Sequence, residues 1–368
     1  MGVARHTQPH SSRPGRKDPS LHIDLAHILR VAREAALGKR RAPDVAAFAL
    51  DAEARCLALV RDLEAGLWRP SAPRGFWIRE PKPRLISALP FADRVVQHLL
   101  IGVTLPGIER SFAPQSYACR RGFGTHRCLR AARDLTRRRG WVLRLDVAKF
   151  FHSIDHAVLL AWLRPRTPEA WWAVTERIVN ARAHVEPTRF YFPGDDLFAP
   201  LERPHGLPIG NLTSQIWANL RFTPVDHLIG SHLGIGTFVR YCDDLLVFDE
   251  DPGRLRAAWD AVRACCDGLR LRLHPKKCRL HRTTEPVAFL GFVLQRRGDA
   301  VVVRLRKENV RRFRARMREL RVPCELGAVG PEEVVSRVRA WLAHARHGHT
   351  RSLCRQVLAD LEFSGSDA

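Results

Sequence analysis

Residues 238–248 read FVRYCDDLLVF and set two adjacent carboxylates, Asp243 and Asp244, inside a run that is otherwise mostly apolar and strand-like. Flanks of that kind demand a buried sheet. Neighbouring acids oppose burial, because they repel each other and lose hydration. Two arrangements reconcile these demands. Asp is a common turn residue, so the pair can mark the bend of a β-hairpin. Alternatively, the pair serves a divalent cation, whose charge turns the repulsion into attraction. The dipeptide alone is compatible with both.

A second β-rich run, WVLRLDV at 141–147, carries Asp146 near its end. If the two runs are neighbours in one antiparallel sheet, three carboxylates converge at its edge. Hard oxygen ligands in that arrangement suit two Mg²⁺ ions about 3.5–4 Å apart, the clamp used for in-line phosphoryl transfer. The partner such a site needs is a polyanion, and the composition agrees. Lys and Arg number 61 against 38 Asp and Glu, a net charge of +23. That field favours nucleic acid ahead of an anionic membrane, the bland alternative being a solubilising arginine-rich surface. No apolar run approaches the ~20 residues that span a bilayer. The basic, polar N-terminus lacks the apolar stretch of a secretory signal. Nine cysteines without a CxxC pair fit reduced thiols in the cytoplasm. His274, Cys278 and His281 lack a fourth ligand at zinc-finger spacing.

The periodicity predicts helices within 21–67, an extended Pro-rich stretch at 69–90, and a helix over FADRVVQHLLIGVTLPGIER. Asp155 caps a helix over DHAVLLAWL. Residues 184–206 read as loop, 211–220 as helix, and TFVRYCDDLLVFD as a strand-turn-strand hairpin. An amphipathic helix follows, then a second hairpin turning at Arg297-Gly298-Asp299. Val310, Phe313, Met317 and Leu320 mark one apolar face of an Arg-coated helix. Strands interleaved with helices of mixed length predict an α+β fold with helices on one face of the sheet.

Six segments, in order, resemble the reverse transcriptases. WVLRLDVAKFFHSIDH is similar to the first catalytic motif of that family, HGLPIGNLTSQIWANL to its substrate-pocket motif, and RYCDDLLVF to its Tyr-x-Asp-Asp signature. HPKKCRL and EPVAFLGFVL resemble the two motifs that follow, and SYACRRGFGTHRCLRAAR the finger motif that precedes them. The likeness runs from about residue 74 to 350. It implies a right-hand polymerase fold. A flexible basic tail (1–20) and an N-terminal helical region (21–70) would precede fingers (71–140), and an antiparallel-sheet palm with finger-like insertions (141–300) a helical thumb (301–355) and a tail (356–368). It also implies RNA-directed DNA synthesis from dNTPs on a template RNA and a primer strand, with two Mg²⁺ ions.

By the same resemblance Asp146, Asp243 and Asp244 are catalytic and, with the Val147 carbonyl, hold the metal. Phe151, beside Phe150, blocks a ribose 2′-hydroxyl by steric exclusion, its other reading being an ordinary core residue. Lys82 and Arg84 hold the triphosphate or are solvated surface charges, and Lys277 protonates the departing pyrophosphate. Tyr241 and Cys242 stand on the primer-template side. Ile209, Gly210 and Gln215 line the nucleotide pocket, Gln215 being equally readable as a helix-packing residue.

Many members carry Gln where this chain has Ile209. An amide constrains sugar and base by hydrogen bonds, and isoleucine offers only shape, so discrimination should loosen. The Ile-Gly-x-x-x-Ser-Gln form looks like the enzymes of diversity-generating retroelements. These make error-prone cDNA, with frequent errors opposite adenine, that replaces part of a target gene, and they work with a small basic accessory protein. A retron or phage-defence enzyme is the alternative. A group II intron maturase, partly an RNA-binding splicing module, is disfavoured because only 16 residues follow the thumb-like segment ending at 352. A catalytically silent RNA-binding protein is disfavoured because all three acids are present.

Overall fold

The computed structural model describes residues 21–78, 83–181 and 184–361. The expected tail at 1–20 lies outside these residues, as does Lys82. The helical N-terminal region is three helices, α1 (Leu25–Ala35), α2 (Pro43–Ala49) and α3 (Ala52–Glu64). The Asp24 carboxylate caps α1 by accepting from the His27 N–H, and Ile28, Val31 and Ala32 form its buried stripe. Proline-spaced residues then give a two-stranded antiparallel hairpin, β1 (Arg74–Ile78) and β2 (Arg84–Ala88), with Phe76 opposite Ile86. The long helix α4 (Phe91–Glu109) packs under the N-terminal helices. Helix α5 (Thr125–Arg138) buries Cys128, Leu129 and Ala132 and turns its arginines outward.

The central sheet begins with β3 (Trp141–Leu145). The chain continues through the single-turn helix α6 (Phe150–Ser153), α7 (His156–Leu163) and α8 (Glu169–Val179). Asp155 caps α7, its Oδ1 accepting from the Val158 N–H at 2.9 Å. The predicted loop at 184–206 holds one short helix, α9 (Ala199–Glu202). Next come α10 (Leu212–Arg221), α11 (Thr223–His227), and the hairpin β4 (Phe238–Tyr241) and β5 (Asp244–Asp249). Helix α12 (Pro252–Gly268) leads to β6 (Arg279–Arg282). The strand order is β4-β5-β3-β6, all neighbours antiparallel.

Both faces of this sheet are buried, which corrects the expectation of helices on one face only. Leu143, Leu145, Phe238, Leu245 and Val247 enter a core shared with α4, α10 and α12. Val142, Val239, Leu246 and Phe248 enter a second core beneath α5. Alternate residues of one strand point to opposite faces, so apolar side chains at both parities require cover on both sides. The second core also receives a three-stranded sheet, β7 (Val287–Phe289), β8 (Phe292–Arg297) and β9 (Ala300–Leu305). Three helices follow: α13 (Lys307–Glu325), α14 (Pro331–Ala345) and α15 (Arg351–Ala359). Phe313 of α13 stacks on Trp341 of α14 with ring centroids 4.2 Å apart, and the stripe Val310, Phe313, Met317, Leu320 is buried as its spacing predicts. Helix α15 carries order to Ala359, past the tail boundary expected at 356. Among the described residues no helix is long and apolar enough to cross a membrane.

Candidate active site

The register of the central sheet brings the three acids to one end of it. Leu145 is opposite Leu245, so Asp146, one residue past β3, stands level with Asp244 at the start of β5. Tyr241 is opposite Asp244, and only Cys242 and Asp243 form the turn between β4 and β5. Cys242 adopts a left-handed φ of 54°, as a two-residue hairpin turn requires. For a residue other than glycine that conformation costs about 1–3 kcal/mol, and the surroundings must hold it in place. Turn and acid pair are therefore not alternatives: Asp243 sits on the turn and Asp244 opens the strand that leaves it.

Electrostatics at the turn are unfavourable to the bare acids. Burial pushes the Asp243 carboxyl up to about 7, the charges of Asp244 and Asp146 push the same way, and Lys277 opposes them. Burial likewise raises Asp244, with Arg144 as the main opposing influence. Arg144 stands 3.6 Å from Asp244 Oδ1, beyond hydrogen-bond reach, and that buried oxygen has no hydrogen-bond partner. Lys277 Nζ lies 2.6 Å from Asp146 Oδ1. Segment 272–278 delivers this lysine by pairing with the chain after β3. His274 N–H donates to the Asp146 carbonyl and Ala148 N–H to the Arg272 carbonyl, both at 2.7 Å. In that pattern the Val147 carbonyl points away from Leu273, its bridge partner. Among the described residues no three His, Cys, Asp or Glu side chains are already drawn together around an ion position. The donor chemistry nevertheless fits a hard divalent cation, with carboxylates that repel one another, one buried oxygen without a hydrogen bond, and a backbone carbonyl left free of the Leu273 pairing.

Phe151, on α6, is half-buried, whereas Phe150 is 3% exposed and packs against Phe222 with centroids 5.7 Å apart. Phe150, expected beside Phe151 at the nucleotide pocket, has its ring packed in the core. Segment 204–207 clamps α6. Leu207 N–H donates to the Phe151 carbonyl at 2.7 Å, Gly206 N–H to Ile154 at 2.8 Å, and His205 Nδ1–H to His152 at 2.8 Å. Gly206 has a φ of +98°, and a Cβ there would lie 2.2 Å from the Val185 side chain.

The Ile209 carbonyl accepts from the Ser87 N–H of β2 at 3.1 Å. Gly210, at φ +115°, lets Ile86 approach so closely that a Cβ would meet it at 2.9 Å. The β1–β2 hairpin therefore docks directly on the Ile209-Gly210 segment. Arg84 is exposed on β2, and its charge is felt at His152, beside Phe151. Gln215 is exposed on α10, while Ser214 is buried. Tyr241 and Cys242 are half-buried, and the Cys242 thiol lies near that of Cys119.

One residue of the site escaped sequence reasoning. Arg240, two positions before Cys242, is fully buried and ion-paired with fully buried Asp226 at 2.5 Å. Its signal was present as a lone cation in the apolar run FVRY.

A family model described as reverse transcriptase (RNA-dependent DNA polymerase) matches residues 78–294, more than half of the chain and all the positions above that flank the three acids. Protein YkfC of Escherichia coli (strain K12) is 22% identical over 315 residues, covering 72% of this chain and 79% of that protein. With Asp243 on a hairpin turn and Asp244 and Asp146 level beside it inside the matched region, the chain belongs to the reverse transcriptase family and is an RNA-directed DNA polymerase, a nucleotidyltransferase that takes dNTPs on a nucleic-acid template and primer.

Proposed function

We propose that this polymerase works by two-metal nucleotidyl transfer and makes error-prone cDNA in a diversity-generating retroelement. Asp146, Asp243 and Asp244, with the Val147 carbonyl, would hold two Mg²⁺ ions. Bound there, the ions supply positive charge for activation of the primer 3′-hydroxyl and for the leaving pyrophosphate. The observation that carries this reading is the level placement of Asp146 and Asp244 across β3 and β5, with Asp243 on the adjoining turn.

The chain's own groups do the rest. Arg84, exposed on β2, offers a planar fork to the triphosphate; Lys82, the other expected contact, lies outside the described residues. Lys277 is the proton donor to pyrophosphate, within reach because it already pairs with Asp146. The Phe151 ring excludes a 2′-hydroxyl, and Tyr241 and Cys242 meet the primer-template side. In this reading the β1–β2 hairpin belongs to the fingers, the central sheet is the palm, and α13–α15 form the thumb. Affinity for template and primer rests on phosphate contacts to the basic surface.

The mutagenic role is supported by Ile209. It is half-buried on the segment where β2 docks, and it brings an apolar side chain to a position where an amide would constrain the incoming nucleotide. A structured template RNA, a small basic accessory protein and a target-gene DNA complete the system. Sequencing of cDNA made by the wild type and by Ile209→Gln tests this. The substitution should lower misincorporation opposite adenine several-fold, and an unchanged error spectrum would favour a retron or defence enzyme.

A further inference from the structure

We propose that Arg240 is a positioning residue for the polymerase reaction: its buried guanidinium, socketed by Asp226 and Asn219, fixes the catalytic turn through the Cys242 carbonyl. A guanidinium has five N–H donors, and here five bonds leave it. Nε and NH2 donate to the two Asp226 oxygens at 2.6 and 2.5 Å. NH1 donates to Asn219 Oδ1 at 2.6 Å and to the Cys242 carbonyl at 3.0 Å, and NH2 also reaches the Asn219 carbonyl at 3.4 Å. Arg240, Asp226 and Asn219 are each 0–1% exposed.

Four of the five bonds build the socket and one reaches the turn. That carbonyl belongs to the peptide joining Cys242 to Asp243, so holding it sets the plane from which the Asp243 side chain departs. Cys242 is also the residue with the left-handed φ, a strained conformation that its surroundings must hold, and a flip of the peptide it shares with Asp243 would move the acid. The socket reaches further. Asn219 lies on α10, the helix that follows the Ile209-Gly210 segment, and its Nδ2 donates to the Ala118 carbonyl at 2.9 Å. The Arg240 backbone pairs with the same 115–118 segment, its N–H donating to Gln115 and its carbonyl accepting from Tyr117, both at 2.9 Å. The catalytic turn, the pocket helix and the segment before α5 thus meet at Arg240, through its side chain, its backbone and Asn219.

A purely stabilising role explains this poorly. Replacing a buried ion pair with apolar residues of similar volume is often neutral or stabilising, whereas removing one partner alone is costly. That contrast supplies the test. Arg240→Met/Asp226→Leu removes both charges together, and Arg240→Lys keeps a charge for Asp226 without the fork to Cys242. Incorporation of dTTP on poly(rA)·oligo(dT) is measured beside thermal melts with and without Mg²⁺. Val45→Ala, a buried position in α2 far along the chain, serves as the destabilised control.

The expected result is kcat at least tenfold lower in both variants, with the KM for dTTP within about twofold. The Mg²⁺-induced rise in melting temperature should also shrink, while Val45→Ala keeps wild-type kcat below its melt. A cooperatively folding double variant with wild-type kcat would overturn the proposal. If the double variant has no cooperative melt, Arg240→Lys decides: a kcat loss no greater than that of Val45→Ala is the overturning outcome. The inference rests on the turn being the reactive site. Full activity of Asp243→Asn would remove that foundation, whereas an inactive Asp243→Asn beside a fully active double variant would remove this inference alone.

Discussion

Replacing Asp243 with Asn should stabilise the metal-free chain at neutral pH, and the gain should fade as the pH is lowered. The Asp243 carboxyl is raised from 3.8 to about 7 in the folded protein. A raised carboxyl favours folding fully below its unfolded value and loses that contribution as the pH rises through the folded value. Ionised Asp243 is therefore a burden on the native state above about pH 7, and Asn carries no such charge. A carboxyl raised that far corresponds to roughly 4 kcal/mol as an upper limit. The side chain is only half-buried, and solvent screening reduces the effect to about 1–3 kcal/mol. The adjacent Asp243 and Asp244 carboxyls are both raised and interact, so the change spreads over a broad window between about pH 4 and pH 8. Urea denaturation of both proteins in a chelating buffer, at intervals from pH 5 to pH 8, measures the difference directly. The two stability curves should converge toward pH 5 and diverge toward pH 8. Parallel curves would refute the reasoning, because a pH-independent difference means the carboxyl carries no unfavourable charge. Added Mg²⁺ should stabilise the wild type more than the variant, since a ligand that binds the folded state adds stability in proportion to its affinity.

Phe151→Ala should admit ribonucleotides, read as a rise of tenfold or more in the ratio of rNTP to dNTP incorporation. An unchanged ratio would place the sugar filter on another side chain. Gly206→Ala should cost more than about 2 kcal/mol of stability by chemical denaturation, because its φ of +98° and the Val185 contact both exclude a Cβ. A neutral result would mean that segment 204–207 yields without strain.

Much of this site was legible because its signals are local. The acids at 146, 243 and 244 stood out against apolar neighbours, and the two-residue turn followed from the strands on either side. The two-faced burial of the sheet was legible as well, although an α+β pattern with helices on one face was expected. LLVF and WVL are continuous apolar runs rather than alternating ones, and continuous runs belong to strands covered on both faces. The choice between Phe150 and Phe151 depends on which way a four-residue helix is turned, and tertiary clamping by residues 204–207 sets that. The Arg240 socket and the pairing of Lys277 with Asp146 join residues 14 to 131 positions apart. Such contacts exist only once the chain has folded, and a cation in an apolar strand announces a buried partner without naming it.

The most direct measurement compares RNA-templated dNTP incorporation by the wild type and Asp146→Asn, with template-primer affinity determined on the same preparations. Incorporation should fall by about 10³-fold or more, which is about 4 kcal/mol of lost transition-state stabilisation. Affinity should stay within about twofold, because phosphate contacts and not this acid hold the nucleic acid. Incorporation within tenfold of wild type would contradict the assignment of the three acids as the polymerase site.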